Sequence, residues 1–197
     1  SIAVSNEGSS NYEKYKSAQA GLDIVLGRGG DQAVVRENGK YVFFGGRAQE
    51  VEKRTKVKAR TVAHALKELI LEAENVMVMG HSNSDMDCIG SSMGIYRLAR
   101  SLGKNAYIVN NSYGIGLENF MEKAKEDDEY KNVIINKSEA LAKISPETLL
   151  IVVDTSKKNY VEIPELLEET EKIVVIDHHR RSTEYIEDAT LMFHEVY

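Results

Sequence analysis

Apolar residues 15, 18, 22 and 24–26 recur at helical spacing within residues 11–27 (NYEKYKSAQAGLDIVLG), and the run stops at Gly27, a position suited to a C-cap. Residues 1–4 (SIAV) read as the inside of a strand. Residues 27–32 (GRGGDQ) read as a loop. Residues 33–35 and 41–44 read as two short strands around Glu37-Asn38-Gly39-Lys40, since Asn-Gly between apolar runs is the strongest short-range hairpin signal. Gly45-Gly46 ends this hairpin. Residues 47–58 (RAQEVEKRTKVK) alternate in charge, as a solvated connector or extended strand would. A boundary between two units is expected near Lys58.

From Ala59 the texture changes. Val62, Leu66, Leu69, Ile70 and Leu71 mark an amphipathic helix. Strands and helices then alternate: strand 76–79, a polar loop from His81, helix 89–102 ending at Gly103, strand 106–109, helix 117–124, strand 133–135, strand 149–153 (LLIVV), a helical stretch 163–167 and strand 173–176 (IVVI). Continuous β-branched runs bounded by turns suit strands covered on both faces. The expected fold is α/β, a doubly wound, mainly parallel sheet preceded by a helix and a β-hairpin.

Composition narrows the classes. With 197 residues, 42% of them hydrophobic, the chain can bury a sizeable core. Cys88 is the single cysteine, which removes intrachain disulfide scaffolds and fits a reducing compartment. A net charge of −6 argues against holding duplex nucleic acid by bulk positive charge. No apolar run approaches the roughly 20 residues of a membrane span, so these residues are expected to be soluble and to make no membrane contact.

In an open parallel sheet, ligands bind beyond the carboxyl ends of the strands. Three strand ends deliver Asp or His there: Gly80-His81-Ser82-Asn83-Ser84-Asp85-Met86-Asp87 after strand 76–79, Asp154-Thr155-Ser156 after 149–153, and Asp177-His178-His179-Arg180-Arg181 after 173–176. Each has a plain structural alternative. Asp85 or Asp87 could cap the following helix, Asp154-Thr155-Ser156 could be an ordinary turn, the His pair could be structural, and the arginines could be solvated surface charge. Their convergence at one edge favours a site, and Gly80, Gly90 and Gly94 would let backbone or ligand approach closely beside it. Two His with three or four Asp form an oxygen-rich set that suits Mn²⁺ or Mg²⁺ better than structural Zn²⁺. Cys88 is expected to pack and not to ligate. More ligands than one tetrahedral ion needs point to two metals about 3.5–4 Å apart and to metal-dependent hydrolysis of a phosphate ester or anhydride. Arg180 and Arg181 could add charge for the non-bridging oxygens.

In order and spacing, His81-Ser-Asn-Ser-Asp85-Met-Asp87, Asp154-Thr-Ser and Asp177-His178-His179 resemble the first three motifs of the DHH phosphoesterase superfamily. The resemblance implies a two-Mn²⁺ centre, with Mg²⁺ or Fe²⁺ as alternatives. His81 and Asp85 would ligate one ion, Asp87 and His178 the other, and Asp154 would bridge. Asp177 and Asn83 would support the ligands from behind. His179, with Arg180, would face the scissile phosphate, so His179 and Asp154 are the expected catalytic residues. Ser84 stands where Pro is common, a departure expected to carry little chemical weight.

Residues 1–5 and 20–31 resemble the C-terminal end of a GGDEF-type domain. A degenerate GGDEF domain ahead of a DHH domain is the arrangement of the GdpP-type cyclic-di-AMP phosphodiesterases, membrane-anchored bacterial proteins that open cyclic di-AMP to linear pApA. The resemblance therefore implies residues 1–58 as the end of a GGDEF-like domain and 59–197 as the front of a DHH domain. It further implies a cytoplasmic fragment whose anchor, fourth motif and nucleotide-holding C-terminal domain lie outside it. Competing expectations are a DHH exonuclease or nano-RNase acting on short oligonucleotides, and a non-catalytic nucleotide-binding regulatory module.

Overall fold

The computed structural model describes residues 1–28, 32–45, 56–179 and 184–195. Two compact units divide the chain, residues 1–69 with 190–193 and residues 70–189 with 194–197.

In the first unit, β1 (Ile2–Ser5) runs parallel to β2 (Ala33–Glu37), which forms an antiparallel hairpin with β3 (Lys40–Phe44). The turn is the expected one: Asn38 and Gly39 sit at φ 53° and 76°, the left-handed pair a two-residue hairpin requires. Helix α1 (Asn11–Gly27) starts at a capping box, with Ser10 Oγ accepting from the Glu13 N–H and the Glu13 carboxylate accepting from the Ser10 N–H. Its end differs in cause from the expected glycine cap. The capping residue is Arg28 at φ −83°, and Gly27 is small because a Cβ there would stand 3.0 Å from Leu191 Cδ1. Gly46, most of the charged 47–58 stretch and residues 29–31 of the GRGGDQ loop lie outside the described residues, but helix α2 (Lys56–Glu72) already begins before Lys58. Val62, Leu66, Leu69 and Ile70 are buried along α2, as expected, while Leu71 is exposed.

A second sheet runs in the order β6-β5-β4-β7-β8-β9. Its strands are β4 (Asn75–Met79), β5 (Asn105–Val109), β6 (Ile134–Ile135), β7 (Leu149–Val153), β8 (Lys172–Asp177) and β9 (Leu191–His194). The five strands β6-β5-β4-β7-β8 pair in parallel. All five residues of β7 are buried, as a central strand covered on both faces must be. From β4 the chain adds β5 and β6 on one side, then returns to add β7 and β8 on the other. That reversal makes the doubly wound topology and puts its switch point between β4 and β7.

Several elements depart from the sequence pattern. Helix α3 (Met86–Ser101) begins three residues before Ile89, because Asp85 caps it: Asp85 Oδ1 accepts from the Cys88 N–H at 3.0 Å. Helix α4 (Glu118–Glu126) is close to expectation. Helix α5 (Lys137–Lys143) and strand β9 were not expected. The stretch 163–167 forms only a short 3-10 turn, Pro164–Leu167, since four residues cannot close a regular α-helix. Among the described residues, no helix is long and apolar enough to cross a membrane.

Candidate metal centre

The loops at the carboxyl ends of β4, β7 and β8 meet at the switch point. Asp154 is the hub. It is the first residue past β7, with φ 60°, a left-handed backbone that is uncommon for a residue with a side chain and frequent at functional sites. Its backbone N–H still donates to Ile176 O at 2.9 Å, so β8 fixes the turn that aims the carboxylate. That side chain is only 3% exposed. Its two oxygens face different histidines: Oδ1 lies 3.0 Å from His178 Nε2 and Oδ2 lies 3.5 Å from His81 Nε2.

His81 is held from three sides. Its Nδ1 lies 2.9 Å from Ser82 O, the geometry in which Nδ1–H donates and leaves the Nε2 lone pair facing Asp154. The Tyr160 ring stacks on it, with centroids 5.6 Å apart. Its carbonyl accepts from Ser84 Oγ at 3.0 Å. Ser84 is buried and in turn accepts from Asn110 Nδ2, also at 3.0 Å. The small weight expected for serine in place of proline is therefore corrected, because this hydroxyl ties the His81 loop to the end of β5. Glu162 secures the other side of that tie, with Oε1 accepting from the Asn111 and Ser112 N–H groups at 2.6 and 2.7 Å.

Asp177, 1% exposed, orients His179. Its Oδ1 accepts from the His179 backbone N–H at 3.1 Å and lies 2.9 Å from His179 Nδ1. With Nδ1 so engaged, Nε2 of this half-exposed ring is left for a ligand. His194, which no motif flagged, packs Nε2 against the His179 carbonyl.

The remaining expected residues are placed less centrally. Asp85 caps α3 and is mostly exposed, with Oδ1 3.9 Å from His81 Nε2, so cap and neighbour of the site are one side chain. Asp87 is exposed in the first turn of α3 and belongs to neither group of ligand atoms described below. Asn83 contributes a turn at φ 58°, and its backbone N–H donates to Ser112 Oγ. Arg180 and Arg181 lie outside the described residues. Of the three glycines, Gly80 alone meets the expectation of close approach: a Cβ there would stand 1.9 Å from Cys88 Sγ. At Gly90 and Gly94 a Cβ would meet open space, so no neighbouring protein atom requires glycine there.

Burial pushes the Asp154 carboxyl up, and neighbouring Asp85 adds to this; His179, His81 and His178 oppose it without cancelling it. Burial acts on Asp177 too, but hydrogen bonds from Ser156 and from the His179 backbone and ring outweigh it and hold that carboxyl below its ordinary value. The Cys88 thiol is pushed up to about 11, chiefly by burial.

Among the described residues, two groups of side chains bring ligand atoms within 4.8 Å of one another: His81, Cys88 and Asp154, and Asp154, His178 and His179. Asp154 is common to both. A carboxylate shared between two sets of imidazole donors is what a pair of bridged divalent cations requires, so the residues fit the metal centre their motifs imply.

Residues 75–197 match the DHH family, N-terminal domain, and the chain belongs to that family. It is 42% identical to the cyclic-di-AMP phosphodiesterase GdpP of Bacillus subtilis over the whole of this chain and 30% of that protein. It is 45% identical to the cyclic-di-AMP phosphodiesterase PdeA of Listeria monocytogenes over 91% of this chain and 28% of that protein. The chain thus spans under a third of the length of these relatives. An exopolyphosphatase-related protein from Bacteroides fragilis shares the fold, with a TM-score of 0.55 and 20% identity over 72% of this chain and 41% of that one.

Proposed function

We propose that this chain carries the metal-holding part of a phosphodiesterase that hydrolyses cyclic di-AMP to linear pApA. The observation that carries the reading is Asp154, whose two oxygens face His178 and His81 from a left-handed turn at the switch point. The names of the relatives supply the substrate class.

His81 and Asp85 would hold one ion and His178, with Asp87, the other, across the Asp154 bridge. Asp87 would have to turn toward His178 to take part. Two divalent ions, Mn²⁺ first among candidates, would supply a bound hydroxide and neutralise the phosphoryl oxygens. His179, oriented by the Asp177 contact at Nδ1, would turn its Nε2 edge to the scissile phosphate, and Arg180 would add charge beside it. Residues 1–58 are proposed as the end of a degenerate GGDEF-like domain, and the full-length gene product as anchored in the cell membrane.

The test is chromatography of cyclic di-AMP incubated with Mn²⁺ and the full-length gene product. Linear pApA is the expected product. Trimming of short oligonucleotides with no action on cyclic di-AMP would favour the oligonucleotide-directed reading instead.

A further inference from the structure

Cys88 is buried in the first turn of α3. Its sulfur covers Gly80, close enough that any Cβ at residue 80 would collide with it. It also lies in one group with the ligand atoms of His81 and Asp154, all within 4.8 Å of one another. Three separate segments thus bring an imidazole, a carboxylate and a thiol to one point: the loop after β4, the first turn of α3 and the end of β7. Nothing in the hydrolytic reading uses the sulfur.

A thiol changes what such a set selects. Oxygen and imidazole donors suit hard cations, whereas thiolate draws softer ones such as Zn²⁺ or Cd²⁺. Tetrahedral Zn²⁺ accepts Cys, His and Asp together, with bonds of about 2.0–2.3 Å that put neighbouring ligand atoms roughly 3.3–3.8 Å apart. The His81 Nε2 to Asp154 Oδ2 separation of 3.5 Å already falls there. We propose that His81, Cys88 and Asp154 form a soft-metal site, at which a Zn²⁺-like cation competes with the hard ion for His81 and Asp154. On coordination the sulfur–metal bond replaces the S–H bond, the proton leaves to solvent, and no oxidation is involved. The site shares two residues with the proposed phosphodiesterase centre but does not require hydrolysis.

The test is a Cd²⁺ titration of the metal-free 197-residue chain, read by the ultraviolet thiolate-to-metal charge-transfer band. With one cysteine in the sequence, that band reports Cys88 alone. It should saturate at one Cd²⁺ per chain, be absent in Cys88→Ser and Cys88→Ala, and weaken at least about tenfold in apparent affinity in His81→Ala and Asp154→Asn. Excess Mn²⁺ should raise the Cd²⁺ concentration needed. Circular dichroism identifies any variant that has lost its fold, and two replacements at Cys88 with one at each of its two partners keep the comparison informative. No band, or a band of unchanged affinity in His81→Ala and Asp154→Asn, overturns the site. Mn²⁺ binding without a Cd²⁺ band would overturn this proposal alone, while loss of both would count against the hydrolytic centre too.

Discussion

His178 Nε2 lies 3.0 Å from Asp154 Oδ1, leaving Oδ2 of the same carboxylate turned toward His81. One side chain therefore links two strand ends that are 24 residues apart in sequence. Asp154→Ala should weaken Mn²⁺ binding at both positions together, by at least about tenfold, and remove turnover in the full-length gene product. Calorimetry that found one strong Mn²⁺ site intact in this variant would mean that Asp154 serves a single ion.

The same carboxylate should act on stability in the opposite sense when metal is absent. Its folded pKa is raised, so the folded state favours the protonated form. The stability it lends is present below the unfolded value of about 3.9 and is lost as pH rises through the folded value. Metal-free Asp154→Asn should therefore melt above the parent at neutral pH, with the gap closing as pH falls toward 4. Parallel melting curves at all pH values would contradict this.

Gly80 and Cys88 should behave as one unit. Gly80→Ala places a Cβ 1.9 Å from the sulfur and should cost about 3 kcal/mol. Removing the sulfur relieves the clash, so the Gly80→Ala/Cys88→Ala pair should be more stable than the sum of the single changes by about 1 kcal/mol or more in urea unfolding. Strict additivity would place Cys88 elsewhere.

Ser84 illustrates what the motif pattern could and could not convey. Its position in the motif was legible, but its bonds to His81 O and Asn110 Nδ2 depend on β4 and β5 being neighbours, a tertiary fact. Ser84→Ala should lower stability by about 1 kcal/mol, observable as a lower Tm. An unchanged Tm would show that the two hydrogen bonds contribute nothing net.

Local chemistry explains most of what was readable. The fully apolar LLIVV of β7 can only be a central strand, and Asn38-Gly39 can only be a tight turn, so the α/β class and the converging strand ends followed. Asn136 and Glu139 form a capping box for α5, a signal that is present in the sequence. Nothing local marks β9 or His194, because that strand exists through its place at the sheet edge. Asp87 shows the converse limit: motif spacing singles it out, whereas in the first turn of α3 it is exposed and joins neither group of ligand atoms.

Asp177→Asn replaces an acceptor-only carboxylate with an amide that can also donate to Nδ1, so the His179 tautomer is no longer fixed. In the full-length gene product it should lower kcat about 10–100-fold while leaving Mn²⁺ affinity closer to that of the parent, since Asp177 acts through His179. A fall in metal affinity as large as the fall in kcat would reassign Asp177 to the ligand set.

The central claim, a pair of ions bridged by Asp154, is tested most directly by electron paramagnetic resonance of the full-length gene product during a Mn²⁺ titration. The account predicts an exchange-coupled two-Mn²⁺ signal that grows in as the second equivalent binds and disappears in Asp154→Asn. A spectrum of isolated Mn²⁺ at every ratio, or a coupled signal that survives Asp154→Asn, would contradict it.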